Sequence, residues 1–292
     1  MKKYIFLDNW VYSKLTNPEF ERSLTAFINK NDFTIIFTIV SAVELFNPNW
    51  TDSGDKDRVE RTASFFNNVP CEIIDAAKIQ STEVANFLTP LNELPVNLEL
   101  WKIPPYMRSK AILNVFRHES LPSDLEPMES WSNKYQTDKD NWFATKDHII
   151  ADAIANGNLK IDTDGNFIDL EELKQQFLFS LDLRLAVPED ISTILQKLNE
   201  RADQKQPFKL TSARVWSLCF WYLYIDIDNA NKIKINPSDF GDLYQLSLLP
   251  YCSAFTIDGS MYRLLQRTCD FTVPTTCDLI KSKELEEILK TY

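Results

Sequence analysis

The chain has 292 residues and carries 31 Lys and Arg against 42 Asp and Glu, a formal charge of −11. Hydrophobic residues make up 44% and charged residues 25%, with only 5 Gly; this is ordinary composition for a folded protein and excludes a disordered, collagen-like or disulfide-scaffold chain. The acidic balance excludes a protein that holds nucleic acid by bulk positive charge, and leaves room for one that works through a local basic patch or metal ions.

The N-terminal run MKKYIFLDNW stops being apolar at Asp8. That is short of the roughly 7–15 apolar residues of a signal-peptide core. Val215 to Ile225, interrupted by Ser217, is short of the roughly 20 residues of a membrane span. The expectation is a soluble cytoplasmic protein with no membrane partner. The 5 cysteines are Cys71, Cys219, Cys252, Cys269 and Cys277. They form no CxxC pair, and His118 and His148 stand in no metal-binding spacing, so the thiols read as reduced and structural.

Tyr4–Leu7 is a short apolar run of β-formers and predicts a buried strand. Phe20, Leu24, Phe27 and Ile28 have helical spacing. Phe33–Val40 (FTIIFTIV), bounded by Asn31 and Asp32, is the strongest strand pattern in the chain. Ser41–Phe46 then reads as a helix start, and Cys71–Ile74 as another strand. Strand, helix, strand, helix, strand at this pitch predicts a parallel α/β sheet. From about residue 79 to about 207, β patterns are few, and prolines at 90, 95, 104, 105, 122 and 127 break up helical ones. This stretch reads as a mostly helical insertion. Thr211–Ile225 reads as a buried helix, and Asp239–Leu249 as a helix closed by Pro250. Ser253–Ile257 reads as a strand, Met261–Arg267 as a helix and Phe271–Val273 as an edge strand. A sheet begun at one end of the chain and finished at the other means one domain, 1–292, whose core is formed by about 1–78 and 208–292.

Carboxylates stand where these strands end or helices begin. Asp8 follows YIFL, Glu44 follows FTIIFTIV, Asp239 and Asp242 open SDFGDLYQLSLL, and Asp258 ends SAFTI. In an open parallel sheet the carboxyl ends of the strands share one crevice, so these acids converge if the segments share a sheet. Two carboxylates about 5 Å apart repel by roughly 3 kcal/mol at an effective dielectric of 20, so a converging set calls for a cation. Hard Mg²⁺ or Mn²⁺ suits oxygen ligands and can activate water and steady the leaving oxygen of a phosphodiester. Taken singly, Asp8 also suits a helix N-cap, Glu44 a solvated helix face, Asp239 or Asp242 an acidic first turn, and Asp258 before Gly259 a turn.

The order and context of these acids resemble PIN-domain nucleases. The resemblance rests on YIFLDNWVYSKL, on TIVSAVELF with Ser41 and Glu44, and on PSDFGDLYQLSLLPYCSAFTIDGSMYRLL. It covers about residues 1–75 and 210–275 and leaves the middle of the chain unmatched. It implies a Rossmann-like α/β/α sandwich around a central parallel sheet, and Mg²⁺- or Mn²⁺-dependent hydrolysis of phosphodiesters, most often in RNA. Carried over by position, Asp8, Glu44, Asp242 and Asp258 are the acidic, metal-binding set. Asp239, one turn before Asp242, is a second ligand or the actual third acid. Ser41 and Thr256 are expected to orient water or a carboxylate. The chain's length and acidity depart from small members of that family.

Arg263 and Arg267, at i and i+4 on the helix after Asp258, share a face and are candidates for holding phosphates, with Lys281 and Lys283 further on; ordinary surface charge is the other reading. Asp162-Thr-Asp-Gly-Asn-Phe-Ile-Asp-Leu-Glu-Glu has Phe167 where a calcium loop needs Gly, so a hairpin of Lys160–Ile161 and Phe167–Ile168 around the Asp-Gly turn is expected. The aromatics Trp101, Tyr106, Trp131, Tyr135, Trp142 and Phe143 suit base stacking or packing of the insertion. The expected activity is an endoribonuclease, toxin-like or RNA-processing, acting on nucleic acid. An antitoxin or regulatory protein and a second copy of the chain are candidate partners. The alternatives are a catalytically inactive protein-binding module and a DNA-acting defence or repair nuclease.

Overall fold

A computed structural model of the chain describes residues 2–45, 53–74, 79, 83, 133, 135–141, 155, 160–161, 167–168, 215, 219, 239–268 and 277–292. Its centre is a five-stranded, all-parallel sheet of β1 (Lys3–Phe6), β2 (Phe33–Thr38), β3 (Cys71–Ile74), β6 (Ala254–Ile257) and β7 (Asp278–Lys281), in the order β3-β2-β1-β6-β7. Between β3 and β6 in sequence, β4 (Lys160–Ile161) and β5 (Phe167–Ile168) form the small antiparallel hairpin expected there. The chain builds outward from β1 to β3, then returns to lay β6 and β7 on the other side of β1. Registers fix this arrangement: Ile5 faces Ile35 on one side of β1 and Ala254 on the other, and Phe6 faces Phe255. The Phe6 and Phe255 rings stack with centroids 4.4 Å apart.

Both faces of the sheet are buried, which is why its strands read as continuous apolar runs rather than alternating ones. Ile5, Ile35, Phe37, Cys71, Ile73, Ala254 and Ile280 belong to one core cluster. The alternate residues Phe6, Ile36, Ile74, Phe255 and Ile257 are buried as well. The first cluster is closed by α2 (Pro18–Lys30), α4 (Ser53–Phe65) and the C-terminal helix α7 (Ser282–Leu289). Asn17 caps α2, accepting from the Glu19 N–H at 2.9 Å, with Pro18 in the first turn. Leu24, Phe27 and Ile28 then fall on its inner face. Burying a side chain such as Leu24 is worth about 2 kcal/mol. Tyr292 closes the last turn of the molecule onto α2, with its ring 5.4 Å from that of Phe27.

Two expectations shift, and a third is untested. The strand predicted over Phe33–Val40 ends at Thr38, and α3 (Ile39–Leu45) starts two residues early. The cause is local: Thr38 Oγ1 accepts the Ser41 N–H at 2.9 Å, a cap that overrides the β preference of Ile39 and Val40. The helix predicted over Asp239–Leu249 is α5 (Asp239–Leu246), and Pro250 lies inside a 3₁₀ turn, Leu249–Tyr251. The edge strand is β7; the predicted Phe271–Val273 lies outside the described residues. Of Thr211–Ile225, Val215 and Cys219 are described, and both are helical and buried. The helix after β6, α6 (Gly259–Thr268), contains the predicted Met261–Arg267. No helix among the described residues is long and apolar enough to cross a membrane.

Candidate active site

The sheet order changes direction at β1, so the carboxyl ends of β1 and its neighbour β6 flank a switch point, where an open α/β sheet leaves a crevice. Asp8 and Asp258 stand there, each just past its strand. Asp8 caps α1 (Asn9–Ser13) in extended conformation, its side chain accepting the Asn9 N–H. Its own N–H is held at 2.7 Å by Oγ1 of Thr256, whose hydroxyl lies 3.3 Å from the Phe6 carbonyl oxygen to which it donates. Thr256 thus fixes the backbone of Asp8 from the next strand. Asp258 caps α6: its Oδ1 accepts from the Ser260 N–H at 2.6 Å, the Ser260 hydroxyl at 2.7 Å and the Met261 N–H at 2.8 Å. The capping role foreseen for Asp8 taken singly is therefore real, Asp258 caps a helix where a turn was foreseen, and the two caps stand at the same end of the sheet.

Glu44 arrives from α3, one strand over. Its Oε1 accepts from the Tyr135 hydroxyl at 2.7 Å, and its Oε2 accepts from Gln245 Nε2 at 3.2 Å and from Asn9 Nδ2. Asn9 follows Asp8, and Gln245 lies on α5, so Glu44 ties both halves of the chain together. Asp242, partly exposed on α5, lies near enough for its charge to act on Tyr135. Asp239 opens the same helix; its side chain is outside the description.

The charges of the cluster act on one another. Burial, with the negative charges of Asp258 and Glu44 added, pushes the Asp8 carboxyl up from 3.8 to about 7 against the opposing Asn9 N–H bond. Burial also raises Glu44, while the Tyr135, Gln245 and Asn9 hydrogen bonds and the positive charge of Lys139 oppose that rise. A set of oxygen donors that repel one another suits a hard divalent cation. Among the described residues, no three His, Cys, Asp or Glu side chains form a group that could hold one ion as they stand.

The other expected residues fall as follows. Ser41 is buried, and its hydroxyl lies 2.9 Å from that of Thr38 in the turn that starts α3. Arg263 is exposed on α6, its Nε donating to the Gly259 carbonyl at 3.1 Å. Arg267 lies on the same helix, with its side chain outside the description.

Sequence reasoning passed over Asn9, Gln245 and Gly241 and gave Tyr135 no place in the site. Gly241 sits inside α5, where a Cβ would strike the Glu44 carboxylate and come within 2.5 Å of the Tyr135 hydroxyl. A glycine in a helix interior costs about 1 kcal/mol against alanine, and that local cost was the available sign of a close approach. Gln245, one turn after Asp242, was legible by spacing. Tyr135 carries no such sign, since it is 91 residues from Glu44.

Comparison of the chain with protein-family models, curated proteins and solved structures gives no match.

Proposed function

We propose that this chain is a Mg²⁺- or Mn²⁺-dependent nuclease that hydrolyses phosphodiester bonds, RNA foremost, on a Rossmann-like sandwich of the PIN type. The observation that carries the reading is the gathering of Asp8, Asp258 and Glu44 at the switch point, where burial foremost, with the charges of Asp258 and Glu44 added, raises the Asp8 carboxyl to about 7. Surplus negative charge in a partly buried crevice is costly, and a divalent cation turns that cost into binding energy.

In this reading Asp8, Glu44, Asp258 and Asp242, with Asp239 as the alternative third acid, hold the cation. When bound, it supplies water activation and charge neutralisation at the scissile phosphate. Thr256 keeps Asp8 aimed, Ser41 holds the turn that delivers Glu44, and Arg263 and Arg267 on α6, about one and a half and two and a half turns beyond Asp258, are the candidates to hold flanking phosphates. The reading draws further support from the resemblance of the three acidic segments to PIN-domain nucleases. An antitoxin-like protein and a second copy of the chain belong to it as candidate partners, with action in the cytoplasm.

The test is cleavage of structured RNA, single-stranded RNA and single-stranded DNA with Mn²⁺, Mg²⁺ or chelator. The wild type is run beside an Asp8→Asn/Asp258→Asn pair. Metal-dependent cutting of RNA that falls at least ~100-fold in the pair is the expected result. Cutting of DNA alone would make it a DNA nuclease. An intact chain that cuts nothing with either metal would leave a protein-binding module.

A further inference from the structure

Both oxygens of Glu44 accept side-chain donors, and those donors come from different parts of the molecule. Asn9 and Gln245 belong to α1 and α5 of the core and share Oε2. Oε1 is taken by Tyr135, which lies in the helical residues described over 135–141, in the long stretch between β3 and α5. The Tyr135 ring packs on the core cluster. The missing Cβ of Gly241 is what lets its hydroxyl and the carboxylate meet against α5. A tyrosine hydroxyl carries its proton at neutral pH, so at 2.7 Å from Oε1 it is the donor. Lys139 follows at i+4, on the same helical face, and its positive charge reaches Glu44. One segment therefore brings Glu44 a donor that engages a carboxylate lone pair and a cationic group that offsets its charge, so it competes with a metal ion for both.

We propose that segment 135–141 is a built-in latch on this site: the Tyr135 hydroxyl occupies Oε1 of Glu44, and a divalent cation must displace it to use that carboxylate. The inference rests on the nuclease reading above and adds a regulation to it. An event that lifts the segment, such as arrival of substrate or a partner protein, arms the site. Were Tyr135 instead a positioning residue that presents Glu44 to the ion, loss of its hydroxyl would weaken ion binding. The two roles predict opposite signs.

The experiment is Mn²⁺ titration of the full chain, with free ion followed by its electron paramagnetic resonance signal. The forms are wild type, Tyr135→Phe, Tyr135→Leu, Lys139→Gln, Glu44→Gln and the Tyr135→Phe/Glu44→Gln double variant. Tyr135→Phe keeps the packed ring and is expected to bind Mn²⁺ about tenfold tighter, the worth of one hydrogen bond to a charged group. The gain should vanish when Glu44 is also replaced. Lys139→Gln, at a partly exposed position, should also tighten binding, but the loss of a positive charge does so by itself; Tyr135→Leu, which likewise lacks the hydroxyl, decides the matter if thermal melting shows Tyr135→Phe unfolded. Unchanged or weaker binding in folded Tyr135→Phe or Tyr135→Leu overturns the latch and leaves the metal site standing. No Mn²⁺ binding by any form overturns both the latch and the nuclease reading.

Discussion

Asp8 does two jobs at one position: it caps α1 and it carries charge into a crevice that already holds Asp258 and Glu44. The second job has a thermodynamic consequence in metal-free protein. Its carboxyl binds a proton more tightly in the fold, at about 7, than in the unfolded chain, at 3.8. Its contribution to stability is therefore greatest below pH ~4, declines as pH rises toward 7, and is flat above that. The swing is at most about 4 kcal/mol at ~1.4 kcal/mol per unit. Asp8→Asn keeps an oxygen to accept the Asn9 N–H but cannot ionise. In chelator the variant should become progressively more stable than wild type between pH 5 and pH 8, read by urea unfolding at a series of pH values. Mn²⁺ at pH 8 should then stabilise wild type and leave the variant nearly unmoved. A difference between the two proteins that does not change with pH would show that the Asp8 carboxyl is not held buried beside Asp258 and Glu44. The capping tendency of Asp was legible in the sequence; its partnership with Asp258 was legible only through the inference that β1 and β6 are neighbours.

Among the elements, α5 sets the shape of the site. Residues Asp242, Leu243 and Gln245 give it a polar side toward Glu44 and a buried side toward the core. Gly241 lets α3 and segment 135–141 approach it. Gly241→Ala tests that design. Alanine favours the helix by about 1 kcal/mol, and what its methyl would strike is the end of the Glu44 side chain and the Tyr135 hydroxyl. The expected outcome is a protein that melts within a few degrees of wild type, yet has Glu44 pushed off its donors and nuclease activity reduced at least ~tenfold. A large fall in melting temperature would mean that the Glu44–Tyr135 contact is structural first. The strands that position α5 and the site were visible because both sheet faces are buried, which turns YIFL, FTIIFT, CEII and AFTI into plain apolar runs. The strand β7, DLIK, was not visible. It is an edge strand whose first residue is exposed, and Ile280 is its buried residue, so its composition gives little strand signal. Helix α4, SGDKDRVERTASF, is so charged that its apolar stripe carried little periodic weight.

At the scale of the whole molecule, the site is made from the two ends of the chain: Thr256 holds the N–H of Asp8 across 248 positions. That closure was readable, because a parallel sheet begun at the N-terminus and finished at the C-terminus has to bring β1 and β6 together at one crevice. The contribution of Tyr135 was not, since nothing in local periodicity says where a tyrosine of an intervening segment will dock. The same scale bears on how RNA would be held under the proposed nuclease reading. A chain of net charge −11 cannot collect RNA by a broad positive field, so in that reading ions held by the acids and a few cations such as Arg263 would have to do it. Few phosphate contacts mean few counterions released, and the slope of log affinity against log salt is about −0.7 per neutralised phosphate on single strands. Single-stranded RNA binding by the Asp258→Asn variant, followed by fluorescence anisotropy in Mg²⁺ between 50 and 300 mM KCl, should thus show a slope no steeper than about −3. Arg263→Gln should make it shallower by roughly 0.7. Replacing Mg²⁺ by chelator should abolish most of the binding that remains. A slope of about −6 or beyond would demand eight or more phosphate contacts, more than an acidic chain with this crevice can offer. It would place the RNA on a basic surface away from Asp8 and Asp258.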